Sequence, residues 1–172
     1  MFKALKQRFR DMGHLTKLFN EAERLANSEG QAEPGAEHLV MAALTMPDDD
    51  SARRALAQQG ASPDAFWAAV SQQYVDALKT IGIDSSPLIE RETAMSSPSE
   101  RRGLYRSTGS MRDLLDAVTS NKETTRASAA EFILGATEAK FGVVARALDR
   151  LGIDRERLAE SARAEIGKRA FD

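Results

Sequence analysis

The sequence predicts an all-α protein made of two pseudo-repeated four-helix units packed into one compact bundle. Three observations lead there. Apolar residues recur at helical spacing over most of the chain, no segment alternates with period 2, and one stretch is written twice. Pro34 to Leu44, a helix start followed by a dense apolar run, returns in weaker form as Ser128 to Ala136. Leu39 and Phe132 lie 93 residues apart and Gly60 and Gly152 lie 92 apart, so the register holds at a second landmark.

Composition sets the bounds. A chain of 172 residues with 42% apolar side chains is one ordinary domain, or two small units sharing a core. With 24 basic against 26 acidic side chains the net charge is −2, which supplies no general drive toward nucleic acid or anionic lipid. There is no cysteine, which rules out disulfides and thiolate-held zinc. No apolar run approaches the ~18 residues of a spanning helix, and the N-terminus has no continuous apolar stretch of the signal-peptide kind. A cytoplasmic protein without a membrane partner is expected.

Taken in order, Phe2, Leu5, Phe9 and Met12 form one side of a short amphipathic segment, residues 1–14, whose other side carries Lys3, Lys6, Arg8 and Arg10. Such a helix packs on the domain or meets a partner or membrane surface. The first repeat, residues 15–79, opens with Leu15, Leu18, Phe19, Ala22, Leu25 and Ala26 at helical spacing, and Gly30 offers a left-handed end. Pro34 suits the start of the next helix, and Glu37 lies in its first turn, where a carboxylate favours the helix dipole by roughly 0.3–1 kcal/mol. After the acidic loop Asp48-Asp49-Asp50, Ser51 is expected to cap a third helix closed by Gly60. Ser62-Pro63-Asp64 opens a fourth along Phe66, Trp67, Val70, Tyr74 and Leu78.

Residues 80–110 read as a polar connector with one short helix at Ser97-Pro98-Ser99-Glu100. The second repeat, residues 111–172, begins with Met111, Leu114, Leu115 and Val118. It continues with the capping box Ser128-x-x-Glu131 ahead of Phe132, Ile133 and Leu134. A third stripe is expected at Phe141, Val143, Val144, Ala147 and Leu148, closed by Gly152, and Asp154 is expected to cap a fourth helix along Leu158, Ala162 and Ile166.

The order Ala22-x-x-Leu25-Ala26, loop, Glu37-His38-Leu39, acidic loop, Ala55-Leu56 and Gly60 resembles the Clp repeat, two of which form the N-terminal domain of the Clp family of AAA+ unfoldases such as ClpA and ClpC. The resemblance covers residues 15–78 and 111–166. It implies a non-catalytic, all-helical module without a cofactor that recruits substrates or adaptors to a Clp ATPase or protease. The motor itself is not visible. The nearest approach to a phosphate-binding loop, Gly167-Lys168-Arg169, lacks the upstream glycine and the hydroxyl that holds Mg²⁺. Either an excised N-terminal domain or a stand-alone form without the AAA+ module is expected, and the start at Met1 favours the second.

The resemblance further implies that Glu37, at the glutamate of the Glu-His-Leu signature, docks phosphoarginine. A carboxylate pairs with a guanidinium through two hydrogen bonds while a helix N-terminus receives the phosphate. The family's usual threonine is Ala36 here, and in the second repeat Ala130 and Glu131 stand at the glutamate and histidine positions. A second reading is a sequestering protein that binds phosphoarginine tags or cyclic-peptide compounds without the ATPase.

Trp67 adjoins Phe66, so only one of them faces a given core line; the other is a surface contact or lines a groove between the repeats. Arg101 and Arg102, with Arg106, offer a basic patch for phosphate or acidic peptide. His14 and His38 are 24 residues apart with no metal-binding spacing, which points to a packed structural histidine. A hydrolase using Glu37 and His38 requires the two to converge, and neighbours on a helix diverge by about 100°.

Overall fold

A computed structural model of the chain describes residues 2–82, 108–120 and 128–169, with side chains from residues 13–82, 108–120 and 128–168. Among the described residues every regular element is a helix. The eight are α1 (Phe2–Ser28), α2 (Ala36–Thr45), α3 (Ser51–Ala57), α4 (Pro63–Thr80), α5 (Gly109–Ser120), α6 (Ala129–Glu138), α7 (Val143–Arg150) and α8 (Arg155–Arg169). The expected N-terminal segment and the first helix of the first unit are one element, because α1 runs unbroken for 27 residues. Gly13 costs its helix only about 1 kcal/mol, and no proline interrupts it.

The apolar stretches that are written twice form the centre. α2 and α6 are buried on nearly all sides and touch each other. α1 packs on α2, and α5 on α6; α3 lies against α6 and α8, while α7 lies against α2 and α4. Leu39, Val40 and Leu44 of α2 meet Phe132, Ile133 and Leu134 of α6 in one core that also holds Leu18, Phe66, Leu148 and Leu158. Each such side chain, once fully buried, stabilises the fold by roughly 1.5–3 kcal/mol before ordering costs.

Helix ends follow from local chemistry. Ser62 accepts the N–H of Ala65 at 3.2 Å, with Pro63 in the first turn of α4, as its sequence predicts. Asp154 accepts the N–H groups of Glu156 and Arg157 at 2.9 and 3.2 Å. Gly60 and Gly152 close α3 and α7 in the same manner. Each has φ near +70° (74° and 67°), and the residue after it donates back to the carbonyl five positions earlier, Ala61 to Leu56 and Ile153 to Leu148.

Two local expectations are corrected. Ser51 does not cap α3; Asp50 precedes that helix, and the Ser51 hydroxyl is turned toward another one. Phe141 does not belong to the stripe of α7. Gly142, at φ +102°, stands immediately before that helix, and Phe141 on its far side is 87% exposed. The expected short helix at Ser97 to Glu100, with Arg101, Arg102 and Arg106, lies outside the described residues.

Candidate functional site

The first helix start of interest is that of α2. Gly35 precedes it, and the N–H of Gly35 is accepted by Nδ1 of His38, the third residue of the helix, at 2.9 Å. That bond makes Nδ1 the unprotonated nitrogen, so Nε2 carries the proton and donates to Glu29 Oε2 at 3.1 Å. The edge of Trp67 closes over the imidazole with ring centres 5.7 Å apart and planes at 68°. His38 is fully buried, with both nitrogens committed to structural bonds. Trp67 is half-buried against the core, while its neighbour Phe66 is fully buried.

Glu37 is also buried, at 5% exposure. Its Oε1 accepts the hydroxyl of Tyr74 on α4 at 3.0 Å and lies 3.6 Å from His38 Nδ1. Adjacent positions on α2 thus converge where helical geometry alone has them diverge. The reason is Gly35: a Cβ there would stand 2.5 Å from Glu37 Oε1, so only glycine leaves room for the carboxylate to fold back over the helix start. Burial pushes the Tyr74 phenol above its usual range, and the Glu37 and Glu29 carboxylates push it the same way. Glu37 is therefore an interior group satisfied by Tyr74, not a carboxylate held out to solvent.

The corresponding start of α6 uses different residues for the same bonds. Glu131 Oε2 accepts the N–H of Ser128 at 3.1 Å, while the Ser128 hydroxyl finds no hydrogen-bond partner among the described residues. The free amides of the first turn are met from the acidic loop after α2. Asp49 Oδ2 accepts from Ala129 at 2.8 Å and Ser51 Oγ accepts from Ala130 at 3.0 Å; Ser51 in turn donates to Asp49 Oδ1 at 2.6 Å. Asp49 is 5% exposed, and His14 Nε2 on α1 approaches it at 3.5 Å.

A cleft of ≈ 380 Å³ opens between α5, the end of α6 and the start of α7, with Ala36 at the start of α2 also lining it. Its floor is apolar, with Leu114, Ala117, Gly135, Ala136 and Val144, and Phe141 stands exposed at its edge. Gly135 keeps α5 close to α6, since a Cβ there would lie 3.0 Å from Val118 Cγ2 and 3.1 Å from Leu114 Cδ1. Ser110, Asp113, Glu138 and Lys140 supply the polar lining. Of the site residues expected from sequence, Glu37 and Trp67 lie around the start of α2 and do not line this cleft, although Ala36 beside Glu37 does, while Arg101 and Arg102 fall outside the described residues.

No group of three or more His, Asp or Glu side chains arranged to hold a metal ion occurs among the described residues, and no described helix is long and apolar enough to cross a membrane. No protein-family model matches the chain. No curated protein matches it either. Tyr74, Asp49 and Phe141 carry most of the geometry that sequence reasoning missed. Only Phe141 had a local signal, an aromatic residue directly before a glycine.

Proposed function

We propose that the chain is a double Clp repeat, two four-helix units, serving as a non-catalytic protein-binding module of the Clp protease and chaperone system. The contact pattern supports the repeat: exchanging α1 to α4 with α5 to α8 turns the α3–α8 contact into α7–α4 and the α3–α6 contact into α7–α2, and all four are present. The matched ends at Gly60 and Gly152 and the matched starts at His38 and Glu131 support it further.

The observation that carries the binding role is the apolar cleft edged by Phe141. Its size falls at the lower end of the range for ligand sites, and an aromatic ring held in solvent beside an apolar floor is the usual composition of a contact surface. The ligand is a peptide-like segment of a substrate or adaptor, held without chemistry, and His38 is spent on structure rather than proton transfer. Phosphoarginine on Glu37 would require Tyr74 to give way and a buried carboxylate to open. We therefore assign the ligand to the cleft.

Affinity capture from a native cell lysate tests the reading, with wild type and Phe141→Ser run in parallel. Clp ATPase or protease components, or their substrates, are expected with wild type and are depleted with the variant. Recovery of no Clp component, or equal recovery with both proteins, overturns it. Calorimetric titration with free phosphoarginine is expected to give no binding heat.

A further inference from the structure

The lining of the cleft has an uneven charge. Asp113 on α5 and Glu138 at the end of α6 are both exposed on it, against the single ammonium of Lys140. Neither carboxylate has an ion-pair partner among the described residues. Glu138 also has the wrong sign for its place: it is the last residue of α6, where the helix dipole presents its negative end, and no basic residue occupies that last turn. A cation arriving beside Glu138 relieves that repulsion.

The apolar half of the site points the same way. The floor of Leu114, Gly135, Ala136 and Val144 is buried, and the cleft is too small to take more than one large side chain with its flanking backbone. Phe141 covers such a side chain from the edge.

We propose that the cleft selects a linear peptide segment in which a leucine-like side chain is flanked by lysine or arginine, the apolar group on the floor and the cation at Asp113 and Glu138. The assignment rests on the reading of the cleft as the protein-binding site and names its ligand class. Because both carboxylates are at the rim, they contribute selectivity more than total affinity, and their contribution falls as salt rises.

The test is a titration of the isotopically labelled full chain, followed by amide chemical shifts, with three hexapeptides: Gly-Ser-Leu-Arg-Ser-Gly, its glutamate counterpart at the arginine, and its serine counterpart at the leucine. The leucine-arginine peptide is expected to shift the amides of Leu114, Gly135 and Phe141 and to bind about fivefold or more tightly than the leucine-glutamate peptide. The double variant Asp113→Lys with Glu138→Lys, both exposed positions, is expected to reverse that order, and Phe141→Ser to weaken both peptides.

Equal binding of the two leucine peptides at the cleft, unchanged by the double variant, overturns the cationic preference while leaving the cleft a peptide site. Absence of any cleft shift with all three peptides overturns both readings. Cleft shifts that depend on protein concentration alone, with a dimer in sedimentation velocity, identify a second copy as the occupant and overturn the proposal.

Discussion

His38 and Glu131 do the same work with different chemistry. Each is the third residue of its helix, and each accepts the N–H of the residue just before that helix, Gly35 at 2.9 Å and Ser128 at 3.1 Å. What is required at this station is an acceptor of the right reach, which either an imidazole or a carboxylate supplies. Glu131→Gln keeps an acceptor oxygen and is expected to cost less than half of what Glu131→Ala costs. His38→Leu strands the Gly35 N–H, while Glu29 keeps its bond from Gln31, and is expected to lose about 1–3 kcal/mol. Urea unfolding of the three variants measures both differences; equal losses for the two Glu131 variants would show that the acceptor is not what matters.

Asp49 and Ser51 tie the loop after α2 to the first turn of a helix about eighty residues on. Asp49→Ala removes the acceptor for Ala129 and for Ser51 from a buried site, so a loss of about 2 kcal/mol or more is expected. Ser51→Ala, which frees only Ala130 and one bond to Asp49, is expected to lose about 1 kcal/mol. Because the two side chains share a bond, the double variant is expected to lose less than the sum. Strict additivity in chemical denaturation would sink that account.

These two cases mark where reading from sequence succeeds and where it stops. Ser62, Asp154, Gly60 and Gly152 were legible because each acts on residues within five positions, and the same local rules hold in any fold. Asp49 carried no such sign. Three consecutive aspartates look like a solvated loop, and only the packing of α3 on α6 turns the middle one inward. Ser51 reads locally as a cap for α3, yet for the same reason its hydroxyl serves the start of α6 instead. At the candidate site, Glu37 is legible through its place at a helix start. Its partner Tyr74 is 37 residues away, and its burial depends on the missing side chain of Gly35, a matter of space rather than of backbone angle. The cleft has contributions from four helices and no single stretch shows it.

Glu165 makes the stability of the bundle depend on pH in a defined direction. It is 1% exposed on α8 and accepts from Arg54 Nε at 2.7 Å, Gln58 Nε2 at 3.1 Å and Lys168 Nζ at 2.6 Å, so it links α8 to α3. Burial pushes this carboxyl up, but the hydrogen bonds from Lys168 and Arg54 and the charges of both outweigh it and hold the group below its ordinary value of 4.5. A carboxyl lowered on folding contributes stability that is complete above the ordinary value and is lost as pH falls through the lowered one. Glu165→Gln is expected to be less stable than wild type near neutrality by about 1–3 kcal/mol. The gap is expected to narrow as pH falls from about 5 to 3. Thermal unfolding across that range measures it, and a constant gap would show that the ionised carboxylate is not the source.

Tyr74, Glu37 and Gly35 form a unit whose parts are expected to be coupled. Tyr74→Phe leaves the buried Glu37 carboxylate without its hydroxyl donor, a loss of about 1–3 kcal/mol. Gly35→Ala puts a methyl group 2.5 Å from Glu37 Oε1, and the flexible end of that side chain gives way toward water. Once it has moved, Tyr74→Phe has little left to break, so the double variant is expected to be hardly less stable than Gly35→Ala alone. The tyrosine also reports the arrangement directly. Its phenol is raised on folding, so its contribution to stability is present below the ordinary value of 10.0 and is lost as pH rises through the raised one. In a Tyr105→Phe background, which leaves Tyr74 as the only tyrosine, tyrosinate absorbance is expected to show that rise diminished by Gly35→Ala and by Glu37→Gln. An unchanged titration in both variants would mean that burial alone raises the phenol and that Glu37 does not face it in solution.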